Sequence, residues 1–347
     1  MLGGGEGRLF APPTVLASAA SGVIDMIQVK GGSPEAVFAS AAIRMSDVGC
    51  PTNELNLHQY CTLFEQAARQ TGNDNFGLEF GQQFQPRELG PLGYAATSSP
   101  TLGAALRNVE AYFPAHQGQS TFSFVPEGDI IWLSYQITDP RIEGRRQDAE
   151  LSLGMFCNIF RHALGRNWAP LEVRFEHPKP DGASDHSRYF NAPVEFGRPT
   201  NAFAFRRDVL GTKMPEPDPY LFAIIEALLR SRRDYAGDPQ DVVGVLRNQI
   251  RMHLNERTPG VQDIARILGL SSATLQRQLK ELGVTYNDIL RSTREELALH
   301  YLKNSDMPLT DVALSLGYSE LSAFSRAFRN WTGMSPHRFR RLGTLAR

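Results

Sequence analysis

Residues 316–341 read LGYSELSAFSRAFRNWTGMSPHRFRR, five arginines following a single acid, Glu320. Stepping about 100° per residue from Leu321 gathers Leu321, Phe324, Ala327, Phe328 and Trp331 into an arc of about 120°. Ser322, Ser325, Arg326, Arg329 and Asn330 fall on the opposite arc, from about 40° to 180°. The apolar stripe anchors the helix, and the other face presents donors with no acid among them. Glu320, at the helix start, complements the positive end of the helix dipole.

The segment is the second copy of an internal repeat. DIARILGLS (263–271) returns as DVALSLGYS (311–319), and LQRQLK (275–280) returns as FSRAFR (324–329), the turn having gained one residue. Each copy reads as helix, tight turn, helix. Gly269 and Gly317 are expected to end the first helix, where glycine takes a left-handed backbone at little cost. Ser271 and Ser319 are expected as N-caps of the second. The small Ala265 and Ala313 let the helices cross closely. That arrangement is a helix-turn-helix, whose second helix lies in the DNA major groove. In the first copy Leu275, Leu279 and Leu282 form the buried side, and Ala273, Gln276, Arg277 and Lys280 share the other. Arginine and glutamine are the side chains that pair bidentately with guanine and adenine edges. Between the copies, TYNDILRSTREELALHYLKNSDMP (285–308) predicts a helix of roughly 19 residues, about 28 Å long, with Leu290, Thr293, Leu297 and Tyr301 along one stripe. Pro308 stands where the next helix begins, a position that tolerates proline. Such a spacer holds the two recognition helices nearly one DNA turn apart, about 34 Å.

Ahead of this region the pattern is mixed. LHQYCTLFEQAARQTG (57–72) places Leu57, Tyr60, Cys61, Phe64 and Ala68 on one helical face, closed by Gly72; SPTLGAALRNVEAYF (99–113) and DAELSLGMFCNIFRHALG (148–165) also read as helices. STFSFVPEGDIIWLSYQI (120–137) reads as a hairpin turning at PEGD, with Ile131, Leu133, Tyr135 and Ile137 on one face. PVEFGRPTNAFAFRRD (193–208) suggests a second hairpin. The clearest boundary is GTKMPEPDPY (211–220), whose alternating prolines oppose helix. The expected organisation is a loose leader over 1–20, an α+β effector-binding and dimerisation domain over 21–214, a linker with a helix over 215–237, and an all-α DNA-binding domain over 238–347.

Composition fits two soluble domains. The 347 residues exceed one ordinary core, and no run approaches the ~18 apolar residues of a membrane span. The start lacks a basic segment leading into an apolar one, so a cytoplasmic protein is expected. Cys50, Cys61 and Cys157 are odd in number and form no C-x-x-C pair, arguing against a disulfide framework or a structural zinc and for buried free thiols. The net charge of −1 conceals an asymmetry: residues 238–347 hold 15 Lys+Arg against 11 Asp+Glu, a surplus of 4, and the remainder 21 against 26, a deficit of 5. An acidic front joined to a basic back suits a regulatory domain joined to a nucleic-acid-binding one.

The last ~110 residues resemble the DNA-binding domain of the AraC/XylS family of bacterial transcription regulators: DVALSLGYSELSAFSRAFRNWTGMSPHRFRR (311–341) carries that family's A..LG(Y/F), FSR.F(K/R) and G.SP..(F/Y)R elements. The resemblance implies two helix-turn-helix motifs joined by a central helix, direct-repeat half-sites upstream of promoters, and contact with RNA polymerase. Carried over by position, the base readers are Ala273, Gln276 and Arg277 in the first motif and Leu321, Ser322 and Arg326 in the second. Thr274, Lys280, Ser325 and Arg329 share those helices. Ala273 and Leu321 depart from polar readers and offer only apolar contact, for example to thymine methyls. Arg338, Arg340 and Arg341 follow the second recognition helix and are better placed for phosphates. The front resembles the arabinose-binding-type domain of regulators related to the ornithine-utilisation activator, on FGLEFGQQFQPRELGPLGYAATSSPTLGAALRNVEAYF (76–113) and VEFGRPTNAFAFRRDVLGTKMPEPDPYL (194–221). It implies a small effector and a homodimer.

Two rivals remain at this level. One is an enzyme in the front domain with an appended DNA-binding module. The chain has no G-x-S-x-G, Walker A, H-E-x-x-H or G-x-G-x-x-G after a strand. His177 and His186 beside Asp181 and Asp185 look metal-like, but in a Pro/Gly loop they read as surface turn residues; no metal or cofactor is expected. The other is a DNA-repair methyl acceptor, whose zinc-bound cysteine cluster the scattered cysteines do not supply. Tyr94, Tyr112, Trp132 and Arg174 are equally readable as pocket lining or as core and rim. Leu151–Leu164 is a candidate dimer helix.

Overall fold

The computed structural model describes residues 13–139, 141–235, 242–254, 259–267, 270–304 and 307–344. Thr14–Leu16 (β1) pairs antiparallel with Glu54–Asn56 (β2), and Ala17–Ala20 continues as a buried 3-10 turn. The chain is thus built into the core from Thr14 onward, where a loose leader up to residue 20 was expected. The small apolar run VLASAA has no helical period to announce it, yet its alanines fit where larger side chains would not.

Helices follow at Val23–Val29 (α1), Pro34–Ala41 (α2), Leu57–Thr71 (α3), Phe76–Gln83 (α4), Pro91–Thr97 (α5) and Leu102–His116 (α6). α3 buries the stripe read from its sequence, is capped by Asn56, whose Oδ1 accepts from Gln59 N at 3.2 Å, and ends at Gly72 with φ +63°. Ser120–Glu127 (β3) and Ile130–Ile137 (β4) form the expected hairpin, in register Phe122 opposite Tyr135, with Gly128 left-handed at the turn.

Arg146–Leu164 (α7) is the axis of the front domain. Gln147 to Cys157, Ile159 and Phe160 are buried, so most of the suggested dimer helix is enclosed in the core and only Asn158 and its last turn, 161–164, are half-buried. α4 crosses α7 at glycines: a Cβ on Gly77 would stand 2.2 Å from the Gln147 carbonyl oxygen, and one on Gly81 2.5 Å from that of Leu151.

Glu172–Arg174 (β5), Ala183–Phe190 (α8), Val194–Glu195 (β6), Asn201–Arg206 (β7) and Pro219–Tyr235 (α9) complete this half. The large sheet runs β3-β4-β7-β5-β6, antiparallel except for β5 with β6. The second hairpin therefore does not form: β5 inserts between β6 and β7. One face of the sheet carries Leu133, Tyr135, Phe203 and Phe205 into the main core; the other holds Val125, Trp132, Ala202 and Ala204. α9 packs on α5 and α6 through Phe222, Ile225 and Leu229, so the helix of the expected linker is docked on the front domain.

The rest is helical: Val242–His253 (α10), Val261–Ile267 (α11), Ser272–Glu281 (α12), Tyr286–Asn304 (α13), Leu309–Ser315 (α14), Leu321–Thr332 (α15) and Pro336–Thr344 (α16), around a separate core of Ile264, Leu275, Leu297, Val312, Phe324 and Phe328 among others. This is the α+β front and all-α back read from the sequence. Among the described residues no helix is long and apolar enough to cross a membrane.

Candidate nucleic-acid interface

α11 with α12 and α14 with α15 are the two helix-turn-helix units. In the second, Gly317 adopts φ +72° and donates its N–H to the Leu314 carbonyl at 2.9 Å, while Tyr318 N reaches Ala313 O at 3.0 Å. Gly269, the matching position of the first unit, lies outside the described residues. Ser271 caps α12 as expected, its Oγ accepting from Thr274 N at 3.1 Å. Ser319 does not cap α15: the residue inserted in this turn shifts the start, and Glu320 takes the N-cap position.

Each recognition helix is pinned by two rings or branches and open on the other side. Leu275 and Leu279 bury α12, leaving Ala273, Gln276, Arg277 and Lys280 exposed. Leu282, expected inside, is 52% exposed because the helix has already ended at Glu281. Thr274 is half-buried, its hydroxyl 2.8 Å from Ser271 Oγ. On α15, Phe324 and Phe328 are fully buried and packed against each other at 5.7 Å between ring centres. Ser322, Arg326, Arg329 and Asn330 are exposed, and Ser325 and Leu321 half-buried. Glu320 is less remote than its place at the helix start suggested: it accepts from Ser322 Oγ, and its carboxylate lies 3.9 Å from the Arg326 guanidinium. Arg277 has a similarly loose partner in Glu281 at 4.0 Å. Both pairs are exposed and weak, so water or phosphate displaces them at little cost.

α13 spans the predicted 19 residues and buries Thr293, Leu297 and Tyr301. It also does something the sequence did not disclose. Arg294 donates through Nε to Leu316 O at 2.9 Å and through Nη2 to Gly317 O at 3.2 Å, with its guanidinium 4.7 Å from the Tyr318 ring centre. The connecting helix thereby clamps the turn of the second unit. An arginine next to the buried stripe of a long helix was the available signal. In α16, Arg338 and Arg341 are exposed, whereas Nε and Nη2 of Arg340 are buried.

Residues 31–214 match the model of the arabinose-binding domain of AraC transcription regulators, N-terminal, and residues 264–342 match a helix-turn-helix domain. The first match alone covers more than half of the chain. The chain belongs to the AraC family of transcription regulators. It is 28% identical over 353 residues to an ornithine utilization regulator of Pseudomonas aeruginosa, covering 95% of this chain and 97% of that one. It is 30% identical over 272 residues to the transcriptional regulator VqsM of the same organism (76% and 83%) and 26% identical over 296 residues to VirS of Mycobacterium tuberculosis (84% and 86%). As an AraC-family member it is a DNA-binding transcription regulator whose front domain is the effector-binding one.

The polar groups of that front domain are mostly committed to its own structure. His177 and His186, read as surface turn residues, are buried: their Nε2 atoms lie 3.4 and 2.8 Å from Glu150 Oε1 on α7, which Arg146 also meets at 2.8 Å. Burial first, then the field of Arg146, lower the His177 pKa against the pull of Glu150. This cluster fastens α8 and the segment before it to α7. Tyr94, Tyr112, Trp132 and Arg174 do not converge: Tyr112 donates to Glu226 of α9 at 2.7 Å, and the Arg174 guanidinium covers the Trp132 ring at 3.8 Å on the sheet. Cys61 and Cys157 are buried and Cys50 is exposed.

Proposed function

We propose that this regulator acts as a homodimeric activator at promoter DNA in the cytoplasm. Gln276, Arg277, Ser322 and Arg326 read base edges, with Ala273 and Leu321 in apolar contact beside them. Thr274, Lys280, Ser325 and Arg329 support the same two helices, Arg338 and Arg341 lie along the phosphates, and Arg340, expected there too, is instead held in the fold by its buried nitrogens. The observation carrying this reading is the pairing of two helices, each buried on one side and donor-bearing on the other, by the single rigid α13. Chemistry of its own is not part of this reading, since its relatives are regulators. RNA polymerase is the expected protein partner, reached from the DNA-bound state. Residues 238–347 form the DNA-binding unit, and 14–214 the effector and dimer unit with α9 attached to it.

Support for the dimer comes from α9. Tyr220, Ile224 and Leu228 repeat every four residues and are 86%, 69% and 40% exposed, with exposed Ala223 and Ala227 alongside and no charge in the stripe. A second copy packed antiparallel across a twofold axis covers the stripe.

Footprinting on upstream regions of the genome tests the reading. Protection of paired major-groove segments about one helical turn apart, one pair per protomer, is expected; single segments, or none, reject it.

A further inference from the structure

Where α7 ends, a cleft of about 830 Å³ opens beside the turn that follows it. This volume lies within the range of small-molecule sites, roughly 300–1,000 Å³. Its walls include Arg161, His162, Arg166, Trp168 and Tyr189, together with five carboxamide side chains, of which Asn158 is one. No Asp or Glu lines it.

Arg161 projects from the last turn of α7. Its Nε donates to Trp168 O at 3.4 Å, Nη1 to Asn158 Oδ1 at 3.2 Å and Nη2 to Tyr189 O at 3.0 Å, and the guanidinium sits 4.8 Å from the Tyr189 ring centre. Every one of these partners is neutral. Arg145 and Arg146, half-buried like Arg161, each hold a carboxylate: Glu176 and Glu150. A guanidinium has five N–H groups, so Arg161 keeps one on each terminal nitrogen, the pair that fits the two oxygens of a carboxylate. Arg166 is exposed on the same wall. His162 adds a buried Nε2 without a hydrogen-bond partner. Burial and then the field of Arg87 depress its pKa, keeping the ring neutral. Glu216, whose field also reaches His162, is taken by Arg87.

We propose that this cleft is the effector site and that it takes a small hydroxylated carboxylate, the acid group held by Arg161 and Arg166 and the hydroxyls by the carboxamides. The proposal rests on the effector-binding reading of the front domain and adds the place and the chemical class. An ammonium group finds no carboxylate in these walls, which disfavours diamino acids. A neutral sugar leaves the unpaired guanidinium uncompensated. Trp168, stacked on Phe160 at 4.5 Å, lies in the wall and reports occupancy.

The test uses the full-length protein, calorimetry and tryptophan fluorescence, with gluconate, malate and citrate as probes and arabinose and ornithine as controls. At least one of the three carboxylates is expected to bind saturably with Kd below about 1 mM. Arg166→Gln, at an exposed turn position, should weaken that probe about tenfold or more with the melting temperature unchanged, a loss of about 1.4 kcal/mol. Arg161→Lys, which keeps the charge and loses the fork, should weaken it further. Saturable binding by none of the three carboxylates, tighter binding of arabinose or ornithine than of all three, or wild-type affinity in Arg166→Gln overturns the proposal. Footprints of the same preparations separate the two readings. DNA protection without carboxylate binding removes the site alone, and carboxylate binding without protection removes the promoter reading alone.

Discussion

For the proposed contact of Arg326 with a base edge, the side chain must leave Glu320, and the geometry says how little that exchange costs. The two side chains are 76% and 61% exposed and 3.9 Å apart, a pair worth at most about 1 kcal/mol in water. A bidentate contact to guanine contributes more. Arg326→Ala should therefore weaken specific binding by about 1–3 kcal/mol and relax the preference at one base position, as measured by binding to a set of single-base operator variants. An unchanged preference would remove Arg326 from the groove. The three arginines of α16 separate at the same scale. Arg341 is exposed, and Arg341→Gln should lower affinity evenly across sequences and reduce the salt slope by about one. Arg340 has two of its nitrogens buried, so Arg340→Gln should lower the melting temperature of the DNA-binding half, with the salt slope following only through lost folding.

Elements are fixed here by what lies between them. α4 and α7 approach so closely that any side chain at Gly81 must push on the Leu151 backbone, which α7 holds inside the core. Gly81→Ala should destabilise the protein by about 1–3 kcal/mol in urea unfolding; a neutral result would mean that the two helices separate freely. Neither glycine announced this role in the sequence, because close approach depends on which helix lies opposite. The long helices and the β3–β4 hairpin were legible, since 3.6 and 2.0 periodicities persist over eight or more residues. β5 and β6 were not, because strands of three and two residues carry no period and their neighbours are chosen by packing. The open faces of α12 and α15 were legible from Leu275, Leu279, Phe324 and Phe328. The burial of His177 and His186 was not: their partner Glu150 sits on a helix more than 25 residues upstream. Glu320 at the N-cap was missed for a similar reason, the inserted residue moving the helix start by one.

At the scale of the whole molecule, the proposed dimer through the α9 stripe and the domain junction can each be tested. Ile224→Glu places a charge in the centre of the exposed stripe and should convert the dimer to monomer in sedimentation, leaving the melting of the monomer near wild type; a persistent dimer would move the interface elsewhere. At the junction, Arg145 and Gln136 of the front domain hold the Glu176 carboxylate at 2.8 and 2.6 Å, and His300 of α13 meets its backbone carbonyl at 3.0 Å. Burial alone would raise the Glu176 pKa, but the fields of Arg145, then His300 and Arg251, with the Gln136 hydrogen bond, bring it down to about 2. A carboxyl moved from 4.5 to about 2 contributes stability on the order of 3 kcal/mol, present above about pH 4.5 and lost as pH falls through about 2. Asp148 acts with the opposite sign. Its burial, opposed by the hydrogen bond from Tyr135 and the field of Arg145, raises it to about 7, so the folded state holds a proton the unfolded chain releases near 3.8. Stability from this group is full below about pH 3.8 and declines as pH rises through about 7. The two carboxyls together place their combined optimum near pH 4–5, between the two windows. Urea unfolding from pH 2 to 8, compared between wild type and single variants, isolates the two contributions. Asp148→Asn should flatten the decline toward neutral pH and leave the acid limb intact, while Glu176→Gln should do the reverse. Both limbs surviving in both variants would mean that other groups control the acid and neutral transitions.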